Sequence, residues 1–305
     1  MDTINAIPIF VAVADSEGFS RAAQMLGISK SAVSKRITQL EAQLGARLFH
    51  RTTRKLSLTE AGERYYQYAA QANRAAQQAE DAVSEMQGEP KGLLKILLPM
   101  TIGQLHIAPL IPVFLEQYPQ LDIDIILDDR EVNLVELGFD LAIRTGGDLS
   151  DSTLVARRLV PLHSVVCVSP TFYEKHQAQL MTPHQLVDLN CLIYSYSSNA
   201  SLWQFTSENG EVCKIKVAGN YRVNNIAAVR DAVIAGLGVA RLPTFIAGDA
   251  IQRGELVALF QGYNMPHKLL YAVYPERHYL PAKVRVFLDF IVEKLGNGSA
   301  YWDRF

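Results

Sequence analysis

The sequence predicts an α/β protein in three parts: a small N-terminal helical domain ending in a β-hairpin, one long helix, and a two-lobed C-terminal domain. Three observations predict this fold class. Apolar residues recur every three or four positions over the first 44 residues. An alanine-rich stretch without proline runs from Thr59 to Gln87. Short apolar strands then alternate with helical stretches from Leu93 onward.

Composition limits the class of protein. The chain has 305 residues, of which 49% are hydrophobic and 20% charged, enough for two or three packed domains. It contains no run of 18 apolar residues and opens on Asp2 rather than on a basic leader, so we expect a cytoplasmic protein without a membrane partner. Its three cysteines are widely spaced, which predicts reduced thiols and neither a disulfide framework nor a zinc site.

Positive charge is concentrated near the N-terminus. Between Arg21 and Lys55 there are eight basic residues and one acid, Glu41. Because this segment carries +7 and the whole chain −2, the rest of the chain carries −9. A basic segment on an otherwise acidic chain is typical of a surface that binds a polyanion.

The helix pattern in this segment predicts a helix-turn-helix. A helix from Ser20 to Leu26 is ended by Gly27, and Ser29 is placed to cap the next helix. Two short helices joined by a tight turn that contains glycine form this motif. The apolar residues of the next helix share one stripe that we expect to be buried: Val33, Ile37, Leu40 and Leu44.

The opposite face of that helix carries small polar side chains and a cation, namely Ser31, Ser34, Lys35, Thr38 and Gln39. Such side chains can approach base edges and phosphates in a major groove. Downstream, Leu48 with Phe49 and Leu56 with Leu58 flank a basic tip, which predicts a two-stranded wing. The N-terminal domain is therefore predicted to be a winged helix-turn-helix that binds double-stranded DNA.

These residues resemble the N-terminal signature of the LysR-type transcriptional regulators. The resemblance covers about sixty positions and is carried by Phe19-Ser20-Arg21-Ala22-Ala23, Leu26, Ser29, Ala32-Val33-Ser34, Ile37, Leu40-Glu41, Leu44-Gly45, Leu48-Phe49, Arg51 and Leu58-Thr59-Glu60-Ala61-Gly62. It implies that Lys30, Ser31, Ser34 and Lys35 face bases or nearby phosphates, and that Arg51 and Arg54 serve the wing. Arg21, Ser29, Thr38 and Lys55 complete the expected DNA-contacting set. Many family members carry Gln where this chain has Lys30, and Lys favours guanine or phosphate where Gln favours adenine.

The alanine-rich stretch predicts a linker helix with a dimer seam. Apolar residues alternate at spacings of three and four over about four heptads: Leu58, Ala61, Tyr65, Tyr68, Ala72, Ala75, Ala79, Ala82 and Met86. The sequence offers no second long heptad helix as a partner, so we expect a homodimer on a near-palindromic operator. Packing of the seam against the chain's own body is the alternative. The family resemblance implies further pairing into tetramers.

The C-terminal part begins at Glu89-Pro90-Lys91-Gly92 and predicts a largely parallel sheet in each of two lobes. We expect domain boundaries at 1–58, 59–88 and 89–305, with lobe I formed by 92–161 and 268–295 and lobe II by 162–267. The expected strands are Leu93–Leu98, Leu121–Leu127, Leu141–Arg144, Val165–Val168, Leu192–Tyr196, Val239–Leu242 and Leu269–Tyr274. The expected helices are Gly103–Gln117, Asn225–Ala235 and Ala282–Leu295, with shorter ones near Leu134 and Thr171 and a hairpin turn at Glu208-Asn209-Gly210.

Two further segments, Gly236-Leu237-Gly238-Val239-Ala240-Arg241-Leu242-Pro243 and Asp140-Leu141-Ala142-Ile143-Arg144, are similar to the effector domain of the same family. The resemblance implies a fold like that of periplasmic binding proteins of type 2, with a small-molecule effector in the cleft. Helix N-termini there favour an anion. The candidate effector-binding residues are Met100, Thr101, Ile102, Arg144, Thr145, Tyr196, Asn224 and Asn225.

Three other classes of protein remain as alternatives. An enzyme is disfavoured because the sequence lacks the hydrolase, P-loop and metalloprotease motifs, and no catalytic residue, metal or cofactor is expected. A secreted solute-binding protein would need a signal peptide. A redox sensor would need a reactive thiol. Cys167 lies in an apolar run and is expected in the core, while a redox role for Cys191 or Cys213 stays open.

RNA polymerase is a further candidate partner.

Overall fold

The computed structural model describes residues 3–51, 56–86, 89–130, 132–146, 154–197, 199–275, 280–296, 298 and 300–304. It divides into two compact units. The first contains the chain up to Pro90 together with Val135–Gly138, and the second contains Lys91–Leu134 and Phe139–Phe305.

The described residues of the N-terminal unit up to Met86 form four α-helices and a hairpin, preceded by a 3₁₀ turn at Thr3–Ala6. They are α1 (Ile7–Asp15), α2 (Phe19–Met25), α3 (Lys30–Leu44), β1 (Phe49–Arg51), β2 (Leu56–Leu58) and α4 (Glu60–Met86). Strands β1 and β2 pair antiparallel, with Phe49 opposite Leu58. Gly27 and Gly45 end helices α2 and α3 with positive φ angles of 63° and 65°, which glycine adopts without strain.

The core of this unit forms where α1, α3, the hairpin and α4 meet, around the buried residues Phe10, Val33, Ile37, Leu40 and Leu48. The predicted stripe on α3 is confirmed at Val33, Ile37 and Leu40. It is wrong at Leu44, which is 41% exposed because it is the last residue of the helix and extends past the packed core.

The first lobe of the C-terminal unit is built on a five-stranded sheet with the order β4-β3-β5-β15-β6. Its strands are β3 (Gly92–Leu98), β4 (Leu121–Leu127), β5 (Leu141–Gly146), β6 (Leu154–Leu162) and β15 (Lys268–Pro275), and its helices are α5 (Met100–Ile102), α6 (Ile111–Gln117), α7 (Leu134–Leu137, of which only Leu134 lies in this unit) and α11 (Ala282–Leu295). The predicted continuous helix Gly103–Gln117 is wrong. A π-helical turn and a 3₁₀ turn precede α6 there, because Pro109 and Pro112 lack the amide hydrogen that a continuous α-helix needs.

The second lobe is built on a five-stranded sheet with the order β11-β8-β12-β7-β13, and a three-stranded sheet with the order β10-β9-β14 accompanies it. Its strands are β7 (Ser164–Val168), β8 (Cys191–Tyr194), β9 (Leu202–Ser207), β10 (Val212–Lys216), β11 (Arg222–Val223), β12 (Val239–Pro243), β13 (Val257–Leu259) and β14 (Tyr263–Asn264), and its α-helices are α8 (Pro170–His176), α9 (Ile226–Ile234) and α10 (Thr244–Gln252). The chain enters this lobe between Leu162 and Ser164 and leaves it between Asn264 and Lys268.

Both five-stranded sheets are mixed, so the prediction of largely parallel sheets is wrong. In the first lobe β3 pairs parallel with β4 and β5, whereas β15 pairs antiparallel with β5 and β6. In the second lobe β8 pairs parallel with β11 and β12, whereas β7 pairs antiparallel with β12 and β13. The antiparallel pairs arise because the chain crosses between the lobes as strands, which return in the opposite direction.

Candidate functional site

Helix α3 begins at a cap formed by its own sequence. The Ser29 hydroxyl accepts a hydrogen bond from the Ala32 amide at 3.2 Å, as predicted, and lies 2.9 Å from the Ser31 hydroxyl. This cap satisfies one of the backbone donors that the first turn of a helix leaves unpaired. Ser29 therefore has a structural role in addition to the DNA contact expected of it.

The face of α3 away from the core is polar and accessible. Lys30, Ser31, Lys35 and Thr38 are exposed, and Ser34 is half-buried. Arg21 is also exposed, on α2, with its guanidinium 3.5 Å from the Ser16 carbonyl oxygen. Of the expected wing residues, Arg54 and Lys55 lie outside the described residues. Only the backbone of Arg51 is described, in β1 opposite Leu56.

The base of the wing is held by a buried carboxylate. Glu41 is 5% exposed, and its Oε1 accepts hydrogen bonds from the amides of Leu48 (2.9 Å) and Phe49 (3.2 Å). Its Oε2 lies 3.4 Å from the Arg47 guanidinium. Sequence reasoning used Glu41 as a charge and as part of the family signature, whereas the structure shows that it joins helix α3 to the hairpin.

The linker helix is attached to the same hairpin. The Thr59 hydroxyl accepts a hydrogen bond from the Gly62 amide at 3.0 Å and donates one to the Arg47 carbonyl at 2.6 Å. A Cβ atom on Gly62 would lie 2.0 Å from the Leu48 carbonyl oxygen. Only glycine permits this close approach of α4 to the hairpin.

The heptad seam of α4 is largely exposed in the single chain. Tyr68 is 73% exposed, and Ala61, Ala72, Ala75 and Ala79 are exposed as well. A neighbouring face of the helix packs on the N-terminal core instead, with Ala69 and Ala70 buried. The seam residue Tyr65 is half-buried against the same core, where its ring meets that of Phe10 edge to face at 5.0 Å. The side chains of Ala82 and Met86 lie outside the described residues.

A cavity of about 120 Å³ lies between the two lobes of the C-terminal unit. Three of the predicted effector residues line it: Thr101 and Ile102 from α5 and Thr145 from β5. Strand β5 continues to Gly146, two residues beyond the predicted end, and side chains alternate along it. Thr145 therefore lines the cavity, whereas the Arg144 guanidinium donates to the Val132 carbonyl at 2.5 Å.

The other predicted effector residues bond to one another beside the cavity and do not line it. The Asn225 side chain caps α9 by accepting from the Ala228 amide at 3.1 Å, and its Nδ2 lies 3.7 Å from the Met100 sulfur. The Asn224 amide donates to the Tyr196 hydroxyl at 3.3 Å. The sequence placed these residues at helix and strand ends, but their side chains already have partners there.

Sequence reasoning missed two cations that line the cavity, Arg241 on β12 and Lys268 on β15. The Arg241 guanidinium donates to the Ser197 hydroxyl at 3.0 Å, and no ion pair within the described part of the chain joins either cation to a carboxylate. Burial lowers the pKa of Arg241. The pKa of Lys268 is lowered first by burial and then by the charge of Arg241. An isolated charge within the apolar strand Val239–Pro243 was the available signal.

Two of the three thiols are unsuited to redox chemistry. Cys167 and Cys191 are buried, as expected for Cys167, and burial raises the pKa of each thiol to about 12. The thiolate is the reactive form, so neither is activated at neutral pH. Cys213 is half-buried on β10. Within the described ranges, no cluster of three or more His, Cys, Asp or Glu residues could hold a metal ion, and no helix is both long and apolar enough to cross a membrane.

Both units match models of known protein families. Residues 4–63 match the model of the bacterial regulatory helix-turn-helix protein, lysR family, and residues 87–296 match the LysR substrate binding domain. The chain is 34% identical over 294 residues to the HTH-type transcriptional regulator PtxR of Pseudomonas aeruginosa, covering 96% of this chain and 93% of the relative.

Solved structures of full-length regulators are similar over nearly the whole chain. CrgA, a LysR-type transcriptional regulator from Neisseria meningitidis, is 31% identical with a TM-score of 0.62, covering 96% of this chain and 99% of CrgA. The Vibrio cholerae virulence activator AphB is 25% identical with a TM-score of 0.61, covering 96% of this chain and 99% of AphB.

Proposed function

Because the chain belongs to the LysR-type transcriptional regulators, a family of DNA-binding proteins with an effector-binding domain, we propose that it binds a near-palindromic operator as a homodimer and responds to a small anionic effector. Residues 1–58 contact DNA, residues 59–88 form the dimer helix, and residues 89–305 hold the effector. Lobe I comprises 92–161 with 268–295, and lobe II comprises 162–267. The protein acts in the cytoplasm, where the chromosome and RNA polymerase are, and is not an enzyme.

One observation carries the DNA-binding proposal: helix α3 presents an accessible face of cations and hydroxyls with no acidic side chain on it. Lys30, Ser31, Lys35 and Thr38 are exposed there, and the single acid of the helix, Glu41, is buried beneath the wing. A carboxylate on that face would repel phosphates. Because the Glu41 carboxylate is buried instead, the exposed face of α3 suits a major groove.

Dimerisation is supported by the exposed alanine seam of α4. Small side chains permit close helix approach, and an exposed Tyr68 in the middle of the seam is an apolar surface that a second copy would cover. Two copies place two α3 helices on two half-sites, which predicts inverted repeats in the operator. Tetramers, as implied by the family, would bring four such helices to longer DNA.

The anionic effector is supported by Arg241 and Lys268. Two cations in one partly buried cavity repel each other, and an anion between them relieves both the repulsion and the cost of burial. Of the residues predicted from sequence, Thr101, Ile102 and Thr145 are retained as cavity contacts. Met100, Tyr196, Asn224 and Asn225 support the cavity margin, and Arg144 is bound to the backbone nearby.

Selection from random duplex DNA, followed by footprinting of the recovered sequence, tests the DNA-binding proposal. The purified full chain is expected to enrich two inverted half-sites and to protect both at low ionic strength. The variant Ser34→Ala is expected to change the base preference within each half-site, by up to about 1–3 kcal/mol if the hydroxyl reads a base. Failure to enrich any sequence at low salt would contradict the proposal.

A further inference from the structure

The cavity between the lobes is lined by charged residues of both signs. Arg241 and Lys268 line it as cations, and Asp129, from the loop after β4, lines it as an acid. These three charged residues come from three separate segments of the C-terminal unit. A ligand that fills the cavity must therefore satisfy groups of opposite sign.

Arg241 and Lys268, both of which line the cavity, form what we call its basic end. Burial lowers the pKa of Lys268, and the charge of Arg241 lowers it further. The Ser197 hydroxyl, 3.0 Å from the Arg241 guanidinium, lines the same part of the cavity. Two cations and a hydroxyl together form a binding site for a carboxylate.

Asp129 forms what we call the acidic end of the cavity. No ion pair within the described part of the chain joins it to Arg241 or Lys268. The pKa of Tyr194 is raised chiefly by burial, and the charge of Asp129 contributes. Asp129 itself is half-buried, which raises its pKa, and its Oδ1 accepts a hydrogen bond from the Met100 amide at 2.9 Å. Among the described residues, its Oδ2 accepts no hydrogen bond.

Part of the cavity lining is apolar. Leu192, Trp203, Ile226 and Phe245 contribute to it. The cavity volume of about 120 Å³ is slightly below the roughly 150 Å³ of a cavity known to hold a benzene ring. The ligand is therefore a short molecule with an apolar middle.

Charge balance selects the ligand class. Two cations and one carboxylate leave one excess positive charge, which a monoanion neutralises and a zwitterion does not. We propose that the effector is a small hydroxycarboxylate, whose carboxylate binds Arg241 and Lys268 and whose distant hydroxyl donates a hydrogen bond to Asp129. This inference rests on the proposed role of the cavity as the effector site.

Calorimetric titration of the full chain tests this with four matched ligand series of roughly three to six carbons, a range that brackets the cavity volume. They are ω-hydroxyalkanoates, n-alkanoates with a methyl group in place of the hydroxyl, α,ω-diols and ω-amino acids. One hydroxyalkanoate is expected to bind about 10–100-fold more tightly than its matched alkanoate, because a hydrogen bond to a charged group contributes about 1.5–3 kcal/mol. The diols, which lack a carboxylate, are expected not to bind.

Three variants test the contributions of the acidic and the basic end of the cavity separately. Asp129→Asn keeps the acceptor for the Met100 amide and removes the charge, so the preference for the hydroxyalkanoate should fall about tenfold while alkanoate binding is kept. The matched control is Asp128→Asn, since Asp128 pairs with Arg130 at 2.6 Å and does not line the cavity. Arg241→Gln should weaken both acids together.

The outcomes are distinguishable. Four results would overturn the proposal that the effector is a hydroxycarboxylate. They are equal binding of hydroxyalkanoates and alkanoates, an unchanged preference in Asp129→Asn, tighter binding of the ω-amino acids, and no binding by any series at millimolar concentration. If carboxylates bind but Arg241→Gln leaves their affinity unchanged, the cavity is not the effector site, and the effector part of the proposed function fails with it.

Discussion

The Glu41 carboxylate is buried, and its role in the fold follows from the donors that surround it. Leu48 and Phe49 direct their amides at Oε1, and Arg47 lies beside Oε2. Without the carboxylate, two backbone amides at the start of the wing would be buried without an acceptor. A buried donor without a partner costs about 1–3 kcal/mol.

We therefore expect Glu41→Ala to destabilise the N-terminal unit by about 2–6 kcal/mol, from two unsatisfied amides. Hydrogen exchange of the full chain measures this locally, because the Leu48 and Phe49 amides should exchange faster. Glu63→Ala, which removes the same charge from an exposed position on α4, is the control and should leave both amides protected. Unchanged protection in Glu41→Ala would show that the carboxylate does not hold the wing.

His106 is held as a neutral ring beside the cavity wall. One ring nitrogen, Nε2, lies 2.7 Å from the Phe245 carbonyl oxygen and therefore donates to it. The other, Nδ1, accepts from the Tyr301 hydroxyl at 2.5 Å, and the Trp302 ring lies 4.6 Å away. Burial lowers the pKa of His106, although the Phe245 carbonyl and the charge of Asp249 partly oppose this.

The lowered pKa of His106 predicts a loss of stability in acid. The unfolded chain binds a proton at a pH near 6.5 and the folded chain only at lower pH, so the contribution is complete above about pH 6.5 and is lost as the pH falls through the folded pKa. Thermal unfolding between pH 7 and pH 5 should show a smaller drop in Tm for His106→Gln than for the parent. The exposed His184 supplies the control, since His184→Gln should keep the parental drop. Equal drops in all three proteins would exclude His106 as the source.

At the scale of elements, the linker helix has an apolar face that a single chain leaves exposed to solvent. Its seam is exposed at Tyr68 and Ala72, while the neighbouring face packs on the N-terminal core. Placing a carboxylate in the seam would bury it without a partner in a dimer.

Ala72→Glu is therefore expected to raise the dimer dissociation constant by about 100-fold or more, since an unpaired buried charge costs several kcal/mol. Gln67→Glu adds the same charge at an exposed position of α4 off the seam and should leave the dimer intact. Sedimentation equilibrium gives both constants. A dimer that tolerates Ala72→Glu as well as Gln67→Glu would place the interface elsewhere.

Elements with local signals were predictable from the sequence. The cap at Ser29 and the glycine at Gly27 mark helix ends by chemistry within three residues, and the structure confirms them. Strand direction has no such local signal. Strand β6 was missed because it carries Arg157, Arg158 and Pro161, which read as a loop. It is an edge strand, where proline is tolerated.

The cavity was predictable only in part, for the same reason. Thr101, Ile102 and Thr145 lie where a strand ends or a helix begins, a place that sequence can indicate. Arg241, Lys268 and Asp129 are 27 residues or more apart in the chain and meet only because the two crossing strands bring the lobes together. The spacing of these residues in the sequence does not indicate that they line the same cavity.

At the scale of the whole molecule, charge is divided between one short segment and the rest of the chain. The chain carries −2 overall, but the segment from Arg21 to Lys55 carries +7. We therefore expect nonspecific attraction to DNA to come from this segment, whereas the acidic remainder discourages contact with DNA elsewhere. This division predicts that salt dependence of operator binding responds to lysines of α3 and not to lysines of the C-terminal unit.

Each phosphate neutralised contributes about −0.9 to the slope of log affinity against log salt. A dimer presents Lys35 twice, so Lys35→Ala should make the slope less steep by about 1.8 and weaken binding most at low salt. Lys175→Ala removes an equally exposed lysine from α8 and should leave the slope unchanged. Fluorescence anisotropy with a labelled operator at several salt concentrations measures both slopes.

Equal slopes for the parent and Lys35→Ala would mean that Lys35 faces a base edge or solvent instead of a phosphate. Base-edge contact would then predict a loss of affinity that is independent of salt and confined to operators with the preferred base.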